Sequence, residues 1–240
     1  MRLDLRVAER FGITRNKAQA SIAAGCVSVN GKAATKPSLA VTNADKIELT
    51  ENTATHYVSR SALKLKGLLE GQGISLKGLS VVDVGASTGG FTQVALENGA
   101  RKVWAVDVGS GQLDPRVSAD PRVTNLENTD IRKAHITQKA DCAVADVSFI
   151  GLEKILPDIL RLCKPGALLL LLYKPQFQVG PKQVGKGGVV RDMVAVKSGL
   201  EKFRAELESA RCRVDACVES GLPGESGNRE WFFVAKAPKK

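Results

Sequence analysis

Apolar positions along this chain recur first at helical spacing in short runs and later as continuous runs split by turns. In RLDLRVAERFG, Leu3, Val7 and Phe11 fall on one helical face, and Gly12 ends the run. A second helix is predicted over TRNKAQASIAAG, with Thr14 as N-cap, Ala18, Ile22 and Ala23 as the apolar face, and Gly25 as the stop. CVSVNGKAAT then alternates, and Asn30-Gly31 marks a two-residue hairpin turn. KPSLAVTNADKIELT adds short extended pieces. Two small helices and a few short strands predict an α+β module over residues 1–50.

Residues 51–58, ENTATHYV, read as a linker. A helix is expected from Ser59 or Arg60 to about Glu70, with Leu63, Leu65, Leu68 and Leu69 on the apolar side and Lys64 and Lys66 as the basic positions. Beyond it strands and helices alternate, as in a mostly parallel sheet. The predicted strands are SVVDV, KVWAVDV, RVTNL, DCAVADV, ALLLLLYK, RVDACVES and EWFFVAK. The predicted helices cover Gly90–Asn98, Leu152–Cys163 and Met193–Ala210. The expected fold class is α/β, a Rossmann-like, seven-stranded, doubly wound domain over 59–240 behind the small module. PQFQVGPKQVGKGGVVRD, from Pro175, is Gly-rich and basic without a period, and reads as a mobile loop beside the site.

Charge sharpens this picture. Lys and Arg number 35 against 25 acids, a net charge of +10, which favours a polyanionic partner. The five cysteines are odd in number and form no C-x-x-C, so a reducing, cytoplasmic compartment is expected. His56 and His135 lack ligand companions, so no metal site is expected. The first eleven residues are amphipathic and carry acids, unlike a secretory signal. ALLLLLY is far shorter than the ~20 apolar residues of a membrane span, and no membrane association is expected.

The candidate chemistry starts at DVGASTGGFT, residues 83–92, between a predicted strand and helix. A dinucleotide loop needs G-x-G-x-x-G, but Ala86 and Ser87 follow Gly85. A triphosphate loop needs lysine where Phe91 stands. Asp83 precedes the first glycine instead. Such a loop, with Gly85, Ala86, Ser87, Gly89, Gly90 and Phe91, suits a nucleoside without phosphates that carries positive charge. S-adenosylmethionine is one; the competing reading is an ordinary strand-to-helix turn. Ligands of open α/β sheets bind at the carboxyl ends of strands. Asp107, Asp130, Asp146 and Lys174 all stand at predicted strand ends. Asp107 suits ribose hydroxyls and Asp130 an adenine amino group.

DVGASTGGFT, AVDVG, DVSFI, YKPQF, KGGVVRD and GNREW together resemble the TlyA-type branch of the FtsJ-like RNA 2′-O-ribose methyltransferases. RLDLRVAERFGITRNKAQASIAAGCVSVNGKAATKP resembles the RNA-binding module of a small-subunit ribosomal protein and of pseudouridine synthases. The resemblance implies a Lys-Asp-Lys-Glu tetrad at Lys64, Asp146, Lys174 and Glu230, S-adenosylmethionine as cofactor, and ribosomal RNA or ribosomal subunits as partner, with a cytidine ribose as acceptor. No obligate protein partner is expected. A ribose 2′-hydroxyl is a weak acid, so a positioned amine such as Lys174 can accept or polarise its proton. Lys64 would push the Lys174 pKa down, and Asp146 and Glu230 would push it up. Candidate phosphate contacts are Arg2, Arg6, Arg15, Lys17, Lys32 and Lys36 in the module, and Lys186 and Arg191 in the Gly-rich loop. Phe149, Tyr173 and Phe177 are candidates for base stacking, with core packing the stronger reading for Tyr173. A catalytically silent RNA scaffold and a membrane-active cytolysin are the rival readings.

Overall fold

The computed structural model describes residues 1–50 and 56–239; residues 51–55 of the expected linker lie outside the described residues. The chain divides into two compact units, Met1–Arg60 and Ser61–Lys240.

In the first unit α1 spans Leu3–Phe11 and stops at Gly12, whose φ of 62° suits a residue without Cβ. The second helix, α2, spans Arg15–Ala23; Thr14 caps it by accepting a hydrogen bond from the Lys17 amide at 3.3 Å. Strands β1 (Val27–Val29) and β2 (Lys32–Ala34) form the expected hairpin. Asn30 and Gly31 turn it with φ of 52° and 77°, the left-handed pair that a type I′ turn requires. Strand β3 (Ile47–Leu49) pairs antiparallel with the other side of β1. Leu3, Val7, Ala18, Ile22, Val27, Ala34, Val41 and Ile47 make one core. Ala23 is exposed, contrary to expectation, and Ser21 is buried instead. Ser21 lies three residues after Ala18, on the same face, and its hydroxyl satisfies itself by donating to the Lys17 carbonyl at 2.8 Å.

The second unit opens with α3, Ala62–Gly71. Its buried side is Ala62, Lys64, Leu65, Leu68 and Leu69, so Lys64 occupies the inner face and Leu63 only half of one. Around the sheet run β4 (Ser80–Val84), α4 (Gly90–Glu97), β5 (Lys102–Val106), α5 (Pro115–Ser118), β6 (Val123–Leu126), β7 (Ala140–Ala145), α6 (Leu152–Leu162), β8 (Cys163–Tyr173), α7 (Met193–Ser209), β9 (Arg213–Glu219) and β10 (Trp231–Lys236). The order across the sheet is β6-β5-β4-β7-β8-β10-β9. Strands β4 to β8 pair in parallel, and β10 inserts antiparallel between β8 and β9. Both faces are covered, so all five residues of β4 are buried and its sequence is nearly continuous in apolar residues. The chain leaves β4 to one side for β5 and β6, then crosses to the other for β7 and β8. That reversal opens a crevice outside the carboxyl ends of β4, β5 and β7.

The segment after β8 is three 3-10 turns, Pro175–Phe177, Pro181–Gln183 and Lys186–Gly188. Buried Asn228 ties its far end down: it accepts from the Val190 amide at 2.9 Å and donates to the Gly188 carbonyl at 2.8 Å. Among the described residues no helix is long and apolar enough to cross a membrane, and no His, Cys, Asp and Glu group could hold a metal ion.

Candidate active site

The crevice holds a cleft of about 570 Å³. Its walls are largely apolar, from Val84, Val106, Val108, Ile131, Val147 and Ile150, and its polar groups include Asp107, Asp130 and Asp146. Gly85 sits where the loops after β4 and β7 touch. Its φ is 80°, and a Cβ there would lie 2.7 Å from the Asp146 carbonyl oxygen, so only glycine fits. Ser87 follows with φ of 47°, which turns its amide onto Asp107 Oδ2 at 2.8 Å. The Gly109 amide donates to Asp107 Oδ1 at 2.7 Å. Two backbone donors thus fix the Asp107 carboxylate at the cleft wall, and each oxygen keeps further acceptor capacity.

Asp130 also lines the cleft, and it caps the 3-10 turn Ile131–Lys133 by accepting from the Arg132 amide at 2.9 Å. The Arg132 guanidinium clasps both carboxylate oxygens and, with that amide, holds the carboxyl well below its ordinary pKa. The rest of the glycine loop lies behind the wall. Asp83 is fully buried, with Thr92 Oγ1 donating to its Oδ2 at 2.6 Å and no hydrogen-bond partner at Oδ1. Burial pushes its carboxyl up to about 7, against the Thr92 hydroxyl and helped by Asp146 and Asp107. Ala86 is buried, Gly90 opens α4, and Phe91 stacks on Phe232 at 6.0 Å between ring centroids. Gly89, with φ of 93°, makes room for Leu113, whose Cδ1 would lie 2.7 Å from a Cβ.

The four residues expected as a tetrad reach the carboxyl-end side of β7 and β8 by different routes. Asp146 and Lys174 are the residues directly after β7 and β8. Because β10 runs antiparallel and Trp231 faces Tyr173, Glu230 enters the sheet beside Lys174. Lys64 comes from the first turn of α3. Lys174 Nζ lies 2.5 Å from Asp146 Oδ1 as an ion pair and donates a hydrogen bond to Ser148 Oγ at 3.1 Å. Lys64 Nζ donates to Glu230 Oε2 at 2.7 Å, with side chains only 8% and 2% exposed.

Ser148, Gln112, Gly109, Thr129 and Arg132 line the cleft without having been singled out from sequence. The signal for Ser148 was its place two residues past a strand-end acid. Phe149 is 92% exposed at the cleft, with φ of 65° and its ring 5.3 Å from that of Phe177. Tyr173 is core, packed against Phe203 and Phe233.

In the first unit Arg2 and Arg15 flank Asp4, Arg6 pairs with Glu9 at 3.1 Å, and Lys17 Nζ donates to the Tyr57 carbonyl at 2.9 Å. Lys32 and Lys36 are exposed there, as are Lys186 and Arg191 on the second unit's loop.

Comparison with known proteins agrees with this architecture. Residues 57–237 match the model of the FtsJ-like methyltransferases, and residues 1–47 that of the S4 domain. The chain is 41% identical over 238 residues to the 16S/23S rRNA (cytidine-2'-O)-methyltransferase TlyA of Mycobacterium tuberculosis, across 97% of this chain and 88% of that protein. It is 36% identical to Hemolysin A of Brachyspira hyodysenteriae, across 97% and 98%. A solved structure from Streptococcus thermophilus superimposes with a TM-score of 0.77 at 33% identity, covering 100% of this chain and 89% of that one. The chain belongs to the FtsJ-like methyltransferase family, in its TlyA branch, with an S4 domain at the N-terminal side.

Proposed function

We propose that this chain transfers a methyl group from S-adenosylmethionine to a ribose 2′-hydroxyl of ribosomal RNA, at cytidine. The observation that carries the reading is Lys174, held by Asp146 and Ser148 at the rim of an acid-lined cleft, with the Lys64–Glu230 pair at the neighbouring strand end. The substrate assignment draws on the relative named for that chemistry.

The residues present fit the cofactor. The cleft offers carboxylates rather than lysines, as a cationic ligand without phosphates requires. Asp107 would take the ribose hydroxyls, the backbone at Gly85 and Ser87 would border the amino-acid tail, and the apolar walls would hold the base. When bound, the cofactor supplies an electrophilic methyl group.

The chain's own residues orient the acceptor. Lys174 Nζ meets the 2′-hydroxyl and takes or polarises its proton, while Asp146 and Ser148 set where the amine points. Lys64 and Glu230 neutralise each other, brace the adjoining strand end and keep a polar, hydrogen-bonding pair beside Lys174 for the acceptor, without adding net charge. Much of the acceleration then comes from holding the hydroxyl oxygen in line with the methyl group. Basic side chains on the S4 unit, with Lys186 and Arg191, grip RNA backbone phosphates and set register rather than read sequence. A ribosomal RNA substrate supports a cytoplasmic location, as does an odd number of cysteines with no C-x-x-C pair.

Methyl transfer from labelled S-adenosylmethionine to ribosomal RNA, subunits and transfer RNA tests the reading. Label at a 2′-O-methylated cytidine of ribosomal RNA, absent with Lys174→Ala, is the expected result. Cofactor binding without label in any RNA would sink the substrate assignment.

A further inference from the structure

Asp4 lies in the first turn of α1, yet it is fully buried. Its carboxylate is surrounded by donors. Arg2 Nε reaches Oδ1 at 3.0 Å and Arg2 Nη2 reaches Oδ2 at 3.1 Å. Arg15 Nε reaches Oδ2 at 3.0 Å, Gln19 Nε2 the same oxygen at 2.7 Å, and the Leu5 amide Oδ1 at 3.0 Å. These donors hold the carboxyl well below its ordinary pKa, Arg2 and Gln19 ahead of Arg15 and against the cost of burial. One ionised acid therefore anchors two guanidiniums from different elements, Arg2 just before α1 and Arg15 at the start of α2. Both arginine side chains stay open to solvent, 46% and 51% exposed. A guanidinium has five N–H groups. Arg2 directs two at Asp4 and Arg15 directs one, so the outward edges of both remain available.

We propose that Asp4 is a positioning residue for RNA: from beneath, it fixes Arg2 and Arg15 as one rigid fork for backbone phosphates. The inference rests on the reading that the S4 unit binds RNA. A free arginine loses side-chain freedom when it grips a phosphate, and here that ordering is complete before RNA arrives. The trio keeps a net charge of +1, and its geometry matters more than its charge.

Geometry and charge predict opposite signs for one substitution. Asp4→Asn removes a negative charge beside a phosphate contact, which by charge alone tightens binding. If Asp4 positions the fork, the same change weakens it. The experiment is fluorescence anisotropy of the full chain with a labelled ribosomal RNA stem-loop, read across a salt series, with circular dichroism to verify folding. Arg2→Ala and Arg15→Ala are expected to weaken binding and flatten the salt slope by roughly one unit each. Asp4→Asn is expected to weaken it roughly tenfold, as loss of preorganisation does. Arg15→Lys, an exposed and charge-conserving change, is expected to weaken it several-fold because lysine cannot keep one donor on Asp4 and a planar edge outward. Folded Asp4→Asn protein that binds as tightly as wild type, or tighter, overturns the proposal. Should Asp4→Asn not fold, Arg15→Lys at wild-type affinity overturns it instead. Unchanged binding by both alanine variants also overturns the proposal, since the fork then does not touch RNA. A Lys32→Ala/Lys36→Ala variant, changed at two exposed lysines of the same unit, that likewise binds as wild type marks the different failure, that the S4 unit is not the RNA grip.

Discussion

Lys64 and Glu230 stand 166 positions apart in the chain, yet their charged ends meet at 2.7 Å in a nearly dry setting. Each charge is tolerable there only because the other is present. Removing one leaves a buried, unpaired ion, which costs about 3–5 kcal/mol, whereas replacing both with apolar residues of similar size is often neutral. Lys64→Met and Glu230→Leu are therefore each expected to destabilise the chain by about that much, and the double variant to recover most of it. Urea unfolding of the four proteins closes the cycle. Methyl transfer should stay low in the double variant, because the pair's place beside Lys174 is lost even where stability returns. Full activity in the double variant would show that the pair is only a brace.

Lys174 does not line the cleft itself; it touches two residues that do, Asp146 and Ser148. Lys174→Ala should therefore lower kcat by about 10²- to 10⁴-fold, the usual range for losing a proton-handling group. Affinity for S-adenosylmethionine should hardly change. Titration calorimetry beside a methyl-transfer assay separates the two. A parallel loss of cofactor binding would place Lys174 in the cofactor site instead.

Much of this architecture could be read from the sequence because strands buried on both faces appear as apolar runs. SVVDV and EWFFVAK begin and end as β4 and β10 do, to within a residue. Direction was hidden: nothing in EWFFVAK says that it runs antiparallel, which is what brings Glu230 beside Lys174. By periodicity Lys64 is one of two basic positions of its helix, and only the resemblance points to it as a site residue; its place on the buried face depends on the distant partner Glu230. Asp83 looked like a cofactor ligand. A strand covered on both sides can turn an acid inward, and here the hydroxyl of Thr92 from α4 receives it. Asp4, in the first turn of α1, read as one of the acids of an amphipathic N-terminus. Only the tertiary pairing of α1 with α2 reveals it as the floor beneath two arginines.

Gly85 is where two loops of the cleft come closest. Alanine there must adopt a φ of 80° and place Cβ 2.7 Å from the Asp146 carbonyl oxygen. Backbone, unlike a flexible side chain, cannot swing away. Gly85→Ala is expected to cost about 1–3 kcal/mol from backbone strain alone, and to shift Asp146 with it. Because Asp146 carries the contact to Lys174, both cofactor affinity and turnover should fall. Gly111→Ala is the control: its φ is also positive, at 63°, but beyond its own chain neighbours no atom lies within 4 Å of the added carbon. It should show the strain without the displaced loop, so cofactor binding should survive.

Asp83 gives the fold a pH dependence of unusual sign. Its carboxyl rises from an ordinary value of 3.8 to about 7 in the folded chain, because burial disfavours the charged form. Between those two values the folded state binds more protons than the unfolded state. Stability from this group is therefore complete below the unfolded pKa and is lost as pH climbs through about 7, the reverse of a salt-bridged acid. Asp83→Asn mimics the protonated side chain at every pH and can still accept from Thr92. The variant should match wild type near pH 4 and become the more stable protein above neutrality, by an amount on the order of a few kcal/mol. Thermal melts of both proteins from acid to alkaline pH give the answer. A melting-temperature difference that does not grow with pH would show that Asp83 is ionised in the folded state at neutrality, with its unpartnered Oδ1 satisfied from elsewhere.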